Sequence, residues 1–417
     1  MAKTMRRFFG GCFGGSTRND NSPWYSAVCR DEVRKALRSL RRWDGASGLP
    51  ANRNRRNNDI LLNPLAVACC QGSEKVVRAL LRKYKNRGLD LDADISGDDS
   101  GENILQKACC FGSVATVDLL LQAGASPYKY HPSENVGPEQ QKLQRRGNSL
   151  IYEIVHCNRK NVASQLIRMV LQARKRQGLP LQEEGDQEAF VQCCGEENSL
   201  VLVQTFVGCG FPVNQPNGNG DTALIQTVRK DVVPKELFKI LLKAGANVWA
   251  RDAIGNTILH LLFGKQNSGW TYSWDLIMLL PWQEMLLAKS DEGISPLYLA
   301  CKNQDIDFLN FLWRACPWIV TDDGIHGCHY SVDGESLLHA ACSRNPCIRA
   351  THPRHCGQWQ MVRLLLQMDH NPFPLDSNGR LPSSSPVITL PTLFVLVQEA
   401  AMLGMFNNGI DGLLRQR

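Results

Sequence analysis

Apolar residues recur along this chain in short helical bursts. Val76-Val77-Arg78-Ala79-Leu80-Leu81, Val117-Asp118-Leu119-Leu120-Leu121, Leu237-Phe238-Lys239-Ile240-Leu241-Leu242 and Met361-Val362-Arg363-Leu364-Leu365-Leu366 each set their large side chains on one face of a helix. About ten residues before each burst, a recurring phrase predicts another helix. It reads Gly101-Glu102-Asn103-Ile104-Leu105, Gly147-Asn148-Ser149-Leu150-Ile151, Gly220-Asp221-Thr222-Ala223-Leu224, Gly255-Asn256-Thr257-Ile258-Leu259, Gly293-Ile294-Ser295-Pro296-Leu297 and Gly334-Glu335-Ser336-Leu337-Leu338. Weaker copies without the leading glycine begin at Leu61 and Asp186. Glycine supplies a positive φ that closes a turn, and the Ser, Thr or Asn two residues later caps the helix that follows. Ala123-Gly124-Ala125 and Ala244-Gly245-Ala246 end the second helix before an extended stretch leads to the next turn. One unit is therefore helix, short turn, helix, loop.

The copies start 34 to 46 residues apart, which implies a unit of about 33 residues with insertions. Phrase, period and unit together resemble the ankyrin-repeat proteins, whose unit is a β-turn and two antiparallel helices with a Thr-Pro-Leu-His-x-Ala signature. Gly255-Asn256-Thr257-Ile258-Leu259-His260 and Gly334-Glu335-Ser336-Leu337-Leu338-His339-Ala340-Ala341 match that signature most closely, within a likeness spanning residues 22 to 380. The resemblance implies an all-α solenoid of about 8–9 helix-turn-helix units with finger loops. The expected organisation is a basic, flexible segment over 1–21, an atypical capping repeat and Arg-rich linker over 22–60, the repeat array over 61–378, and a linker with a capping helix over 379–417. Insertions are expected around 131–143, 266–273, 323–330 and 345–356, on loops where backbone can be solvated.

Composition narrows the class. Hydrophobic residues at 43% and charged residues at 21% describe a folded protein rather than a disordered one. The net charge of +7 is uneven, since residues 1–58 carry 13 Lys and Arg against 4 Asp and Glu. A basic N-terminal segment on a nearly neutral body argues against a chain-wide nucleic-acid surface. Arg41-Arg42 and Arg53-x-Arg55-Arg56 read as a solvated face and linker, as a local nucleic-acid contact, as an import signal, or as a face toward anionic lipid. Met5 to Phe13, with Cys12, would suit a peripheral membrane contact, and the acid-free stretch 1–19 would also suit a transit peptide. Ala2 excludes N-myristoylation. No run of 18 apolar residues predicts a membrane span, no secretory leader is apparent, and sixteen cysteines in so long a chain fit a reducing compartment. An intracellular protein of the cytoplasm or nucleus is expected.

The candidate chemistry is mostly explained by packing. Cys69, Cys109, Cys194, Cys301 and Cys342 share the ninth column of their units, where a small side chain lets helices approach. Cys347, His352, His355 and Cys356, together with His326, Cys328 and His329, could converge as zinc ligands, but they lack a Cys-x2-Cys pair and also suit a polar insertion. His260 and His339 resemble the family's structural turn histidine. No phosphate loop, dinucleotide fingerprint, nucleophile elbow or His-Glu-x-x-His is present. No enzyme, cofactor or small-molecule substrate is expected. The expected role is a scaffold that binds a partner protein on the concave face of the array. Two alternatives are a substrate adaptor of a ubiquitin ligase and a zinc- or redox-responsive regulator acting through 326–356. Tyr128, Tyr130, Trp249, Arg251, Asp252 and Tyr330 lie on or beside the fingers and are the candidate partner-binding residues, because aromatic and arginine side chains dominate protein interfaces.

Overall fold

The computed structural model describes residues 23–41, 49–50, 61–87, 91–92, 103–128, 149–157, 160–182, 185–196, 199–230, 232–264, 274–286, 288–316, 333–343, 358–368, 370–371 and 374–402. The chain divides into two compact units, Met1–Pro212 and Val213–Arg417. The regular structure among the described residues is helical, apart from a two-residue antiparallel ladder that sets Leu49 opposite Leu62 and Pro50 opposite Leu61. No helix among them is long and apolar enough to cross a membrane.

The first unit is a run of helix pairs: α1 (Pro23–Cys29) with α2 (Val33–Ser39), α3 (Pro64–Gln71) with α4 (Glu74–Arg87), α5 (Ile104–Phe111) with α6 (Val114–Gln122), α7 (Leu150–His156) with α8 (Lys160–Arg176), and α9 (Asp186–Gly195) with α10 (Leu200–Gly208). First helices pack on first helices, α1 on α3 on α5 on α7 on α9, and second helices stack likewise from α2 to α10. Close approach is possible because Ala68 and Cys69, Ala108 and Cys109, and Cys193 and Cys194 present small side chains with no exposure. Leu65, Leu80, Ile104, Leu105 and Leu120 fill the space between the rows, each side chain stabilising the unit by about 1.5–3 kcal/mol.

The cap residues act where the phrase puts them. Asn63 Oδ1 accepts from the backbone N–H of Leu65 at 2.9 Å, and Ser149 Oγ accepts from that of Tyr152 at 3.0 Å. Asn103 and Gln106 exchange reciprocal bonds as a capping box. The copy at Asp186 differs: Gly185, at φ 94°, stands immediately before α9 instead of two residues earlier, so the turn glycine doubles as the cap residue. Arg174, near the end of α8, is fully buried. Its guanidinium pairs with Asp186 and donates to the carbonyls of Pro127 at 3.2 Å and Leu181 at 3.0 Å, pinning two loops to the start of α9.

The second unit continues the pattern with α11 (Ala223–Arg229) and α12 (Lys235–Lys243), α13 (Ile258–Phe263) and the short α14 (Trp274–Ile277) and α15 (Trp282–Met285), α16 (Pro296–Lys302) and α17 (Ile306–Ala315), and α18 (Leu337–Cys342) and α19 (Gln358–Gln367). First helices α11, α13, α16 and α18 again stack in order. Helix α20 (Leu390–Met402) packs on α19 with Thr392 and Leu396 buried. Gln358, itself buried, links the closing layer: its Nε2 donates to the Cys342 carbonyl at 3.1 Å, while its Oε1 accepts from Thr389 N at 3.0 Å and Thr392 Oγ1 at 3.1 Å. Leu390 and Phe394, one turn apart on α20, stay exposed.

Candidate functional site

The fingers of the second unit owe their shape to one repeated device. At Asp252 the backbone N–H donates to the Asn256 carbonyl at 3.0 Å, and Gly255, at φ 76°, returns a bond to the Asp252 carbonyl at 3.0 Å. The side chain completes the loop, since Asp252 Oδ1 accepts from Ile254 N at 3.1 Å and Asn256 N at 2.8 Å. The same five-residue turn forms at 217–221, 290–294 and 376–380, with Asn217 and Asp376 accepting from their loops in the same way. Asp, Asn or Ser three residues before the turn glycine is the sequence signal for it.

Neighbouring fingers are then tied together. Arg229 Nη2 donates to Asp221 Oδ1 at 3.0 Å and Asp252 Oδ2 at 2.9 Å, bridging consecutive turns. Arg251 Nη1 donates to the carbonyls of Gly255 at 3.0 Å and Lys289 at 2.7 Å. Asn214 accepts from Asn247 N at 2.7 Å and donates to the Gly245 carbonyl at 2.9 Å. Asp252 and Arg251, expected as partner anchors, thus hold the finger itself. Trp249, on the same finger, is 42% exposed, and Ile254 is 54% exposed. In the first unit the half-buried Tyr128 donates its hydroxyl to the Pro180 carbonyl, and its ring lies under Arg174, 4.4 Å from guanidinium carbon to ring centroid. Tyr130, Tyr330, Cys347, His352, His355, Cys356, His326, Cys328, His329 and the segment 1–21 lie outside the described residues.

His260 connects finger to helix. Its Nδ1 accepts from Thr257 N at 3.1 Å and faces Thr257 Oγ1 at 2.8 Å, while Nε2 lies 2.9 Å from the Ile294 carbonyl of the next finger. A carbonyl can only accept, so Nε2 carries the proton and the ring is the neutral Nε2–H tautomer. Burial keeps it so by lowering its pKa below the usual histidine value. His339 repeats the arrangement with Ser336 and the Arg380 carbonyl, at 3.0 Å. Both are the structural turn histidines expected from the signature, and neither has a free nitrogen for acid–base work.

The column cysteines Cys69, Cys109, Cys194, Cys301 and Cys342 are all fully buried. Burial raises the thiols of Cys69 and Cys301 well above their ordinary range and pushes Cys342 up to about 12. They behave as small apolar residues rather than nucleophiles. Among the described residues no three His, Cys, Asp or Glu side chains come together as metal ligands.

An open groove of about 580 Å³ lies within the second unit, with Ile254, Leu261, Ile294 and Leu299 as its apolar lining and Arg229 and Glu292 as its charged groups. Its volume falls within the range of about 300–1,000 Å³ typical of binding clefts. Arg229 is already engaged by two carboxylates, whereas no ion pair engages Glu292 among the described residues. Sequence reasoning missed the groove, because its wall combines three successive repeats that only folding brings together.

Residues 26–131 match the family model for ankyrin repeats (3 copies). No curated protein matches the chain. Among solved structures, the chain is similar to the ankyrin repeat domain of Bcl-3, described as a unique member of the IkappaB protein family, at 20% identity and TM-score 0.41, covering 57% of this chain and 92% of that one. The human ASB11 ankyrin repeat domain gives 20% identity and TM-score 0.41 over 62% of this chain and 97% of that one. An ankyrin repeat protein from Leishmania major gives 15% identity and TM-score 0.45 over 73% and 96%.

Proposed function

From the ankyrin repeats matched over residues 26–131, we propose that the chain is a non-enzymatic scaffold that holds a partner protein on the surface formed by its fingers and first helices. Ankyrin repeats are protein–protein interaction modules, and their stacking preorganises side chains so that little ordering entropy is lost on binding. What supports this reading here is the finger 247–256, whose backbone is fixed by Asp252, Arg229 and Arg251 while Trp249 and Ile254 stay in solvent at 42% and 54% exposure. A rigid loop carrying an exposed indole is the kind of anchor on which interface energy concentrates. Tyr128, Tyr130 and Tyr330 belong to the same proposal as partner-binding residues. The test is proximity labelling in the native cell with the full chain and with Trp249→Ala/Ile254→Asp. Loss of specific neighbours from the variant, at unchanged thermal stability, is expected; an identical set of neighbours would refute a docking role for this finger.

One observation favours a second reading. Helix α20 exposes Leu390 and Phe394 on a single face beyond the last repeat, which would suit a substrate adaptor whose tail recruits a ubiquitin ligase. Recovery of cullin-complex subunits with the wild-type chain, and their loss with Leu390→Lys/Phe394→Glu, would support the adaptor; their absence from both would leave the plain scaffold.

A further inference from the structure

The groove of the second unit makes the docking role more specific, and the inference rests on that role. Its aliphatic residues are only partly covered: Leu261, Ile294 and Leu299 are half-buried and Ile254 is exposed. A partner side chain seated on them would remove apolar surface from water at little cost in order, because the walls are already fixed. The fingers on either side are tightly apposed. A Cβ placed on Gly255 would lie 2.2 Å from Asp291 Oδ1, and Asp291 N donates to the Ile254 carbonyl at 3.3 Å.

Charge selects what kind of segment fits. Asp221 and Asp252 share Arg229, and Arg251 lies across the carbonyls of Gly255 and Lys289. Of the two charged groups that line the groove, Arg229 is taken up by Asp221 and Asp252, whereas Glu292 has no ion pair among the described residues. The exposed Lys289 and Asp291 beside it cancel one another. An acidic segment would meet Glu292 unpaired and find Arg229 already engaged, whereas a basic one would complete the pairing.

We propose that this groove receives a surface segment of a partner protein in which a Leu-, Ile- or Met-sized side chain stands beside a Lys or Arg. The aliphatic group covers Leu261, Ile294 and Leu299, and the cation pairs with Glu292. The test pans a displayed library of random dodecapeptides on the full chain and measures the enriched peptides against Glu292→Lys, Leu261→Asp and the charge-matched control Glu236→Lys on the exposed side of α12. Enriched peptides that share an aliphatic residue beside a base, weaken by about tenfold or more on Glu292→Lys and on Leu261→Asp, are untouched by Glu236→Lys, and recover on Glu292→Lys when their base is exchanged for Glu, are the expected result. Absence of enriched peptides, peptides without that pattern, or equal binding to wild type and Glu292→Lys would overturn the groove assignment. Failure here with neighbours still lost from Trp249→Ala/Ile254→Asp would leave the docking role standing and remove only the groove; failure of both would remove the role itself.

Discussion

Exchanging Asp305 for asparagine removes a carboxylate that its surroundings disfavour while keeping the cap it provides. Asp305 precedes α17 and accepts from Phe308 N at 3.1 Å through Oδ1, a bond that an asparagine carbonyl can also accept. Its Oδ2 is buried without a hydrogen-bond partner among the described residues, as is Nε2 of the adjacent Gln304, which holds φ 60°. Burial, with a smaller contribution from Asp307, pushes the Asp305 carboxyl up from 3.8 to about 6, against the bond from Phe308. With the folded value above the unfolded one, the native state binds more protons between these limits, so stability falls as pH rises through about 4 to 6 and the loss is complete at neutral pH. The interval corresponds to about 3 kcal/mol. Partial solvation of the site reduces the expected gain from Asp305→Asn to about 1–2 kcal/mol. Circular-dichroism melts at about pH 7.5 should then place the variant about 2–4 °C above wild type, with the difference shrinking at about pH 4, where the native carboxyl is already protonated. A variant that melts at or below wild type at neutral pH would refute the claim that this carboxylate is a net cost.

Loss of the His260 bridge by His260→Ala should destabilise the second unit by about 2–3 kcal/mol in denaturant titrations, through its lost buried hydrogen bonds. Because burial depresses the folded His260 value, the unfolded state takes up the proton first, so its contribution is present above about pH 6.5 and declines below it. Gly255→Ala forces both a positive φ of 76° and a clash with Asp291, while Gly379→Ala, at φ 72°, meets nothing within 4 Å; the first should lower the melting temperature clearly more than the second, whose cost is about 1 kcal/mol of backbone strain. Mass-spectrometric mapping after brief alkylation of the native chain should find Cys69, Cys301 and Cys342 unmodified and the half-buried Cys110 and Cys157 modified ahead of them.

The repeat was legible because its signals are local. A glycine followed two residues later by Ser, Thr or Asn determines a turn and a cap within a few residues, and Thr222, Ser295 and Ser336 all cap their helices accordingly. The ninth-column cysteines and the turn histidines were likewise readable from alignment of the chain with itself. What the sequence concealed depends on contacts between repeats. Asp252 and Arg251 look like surface anchors in isolation, and their intramolecular partners, Arg229 and the Lys289 carbonyl, lie 23 and 38 residues away along the chain. Arg174 stands in the basic run Arg174-Lys175-Arg176, and only the fold shows it buried against Asp186 and two loop carbonyls. The groove shares that origin, since Arg229, Leu261 and Leu299 belong to three different helices.

Replacing Trp249 with a photo-crosslinking amino acid, and Glu236 with the same residue as a control on α12, asks directly whether the fingers meet a partner in the cell. A discrete protein adduct from position 249 and none from position 236 is the expected pattern. Adducts from position 236 alone, or none from either, would contradict a finger-centred docking surface.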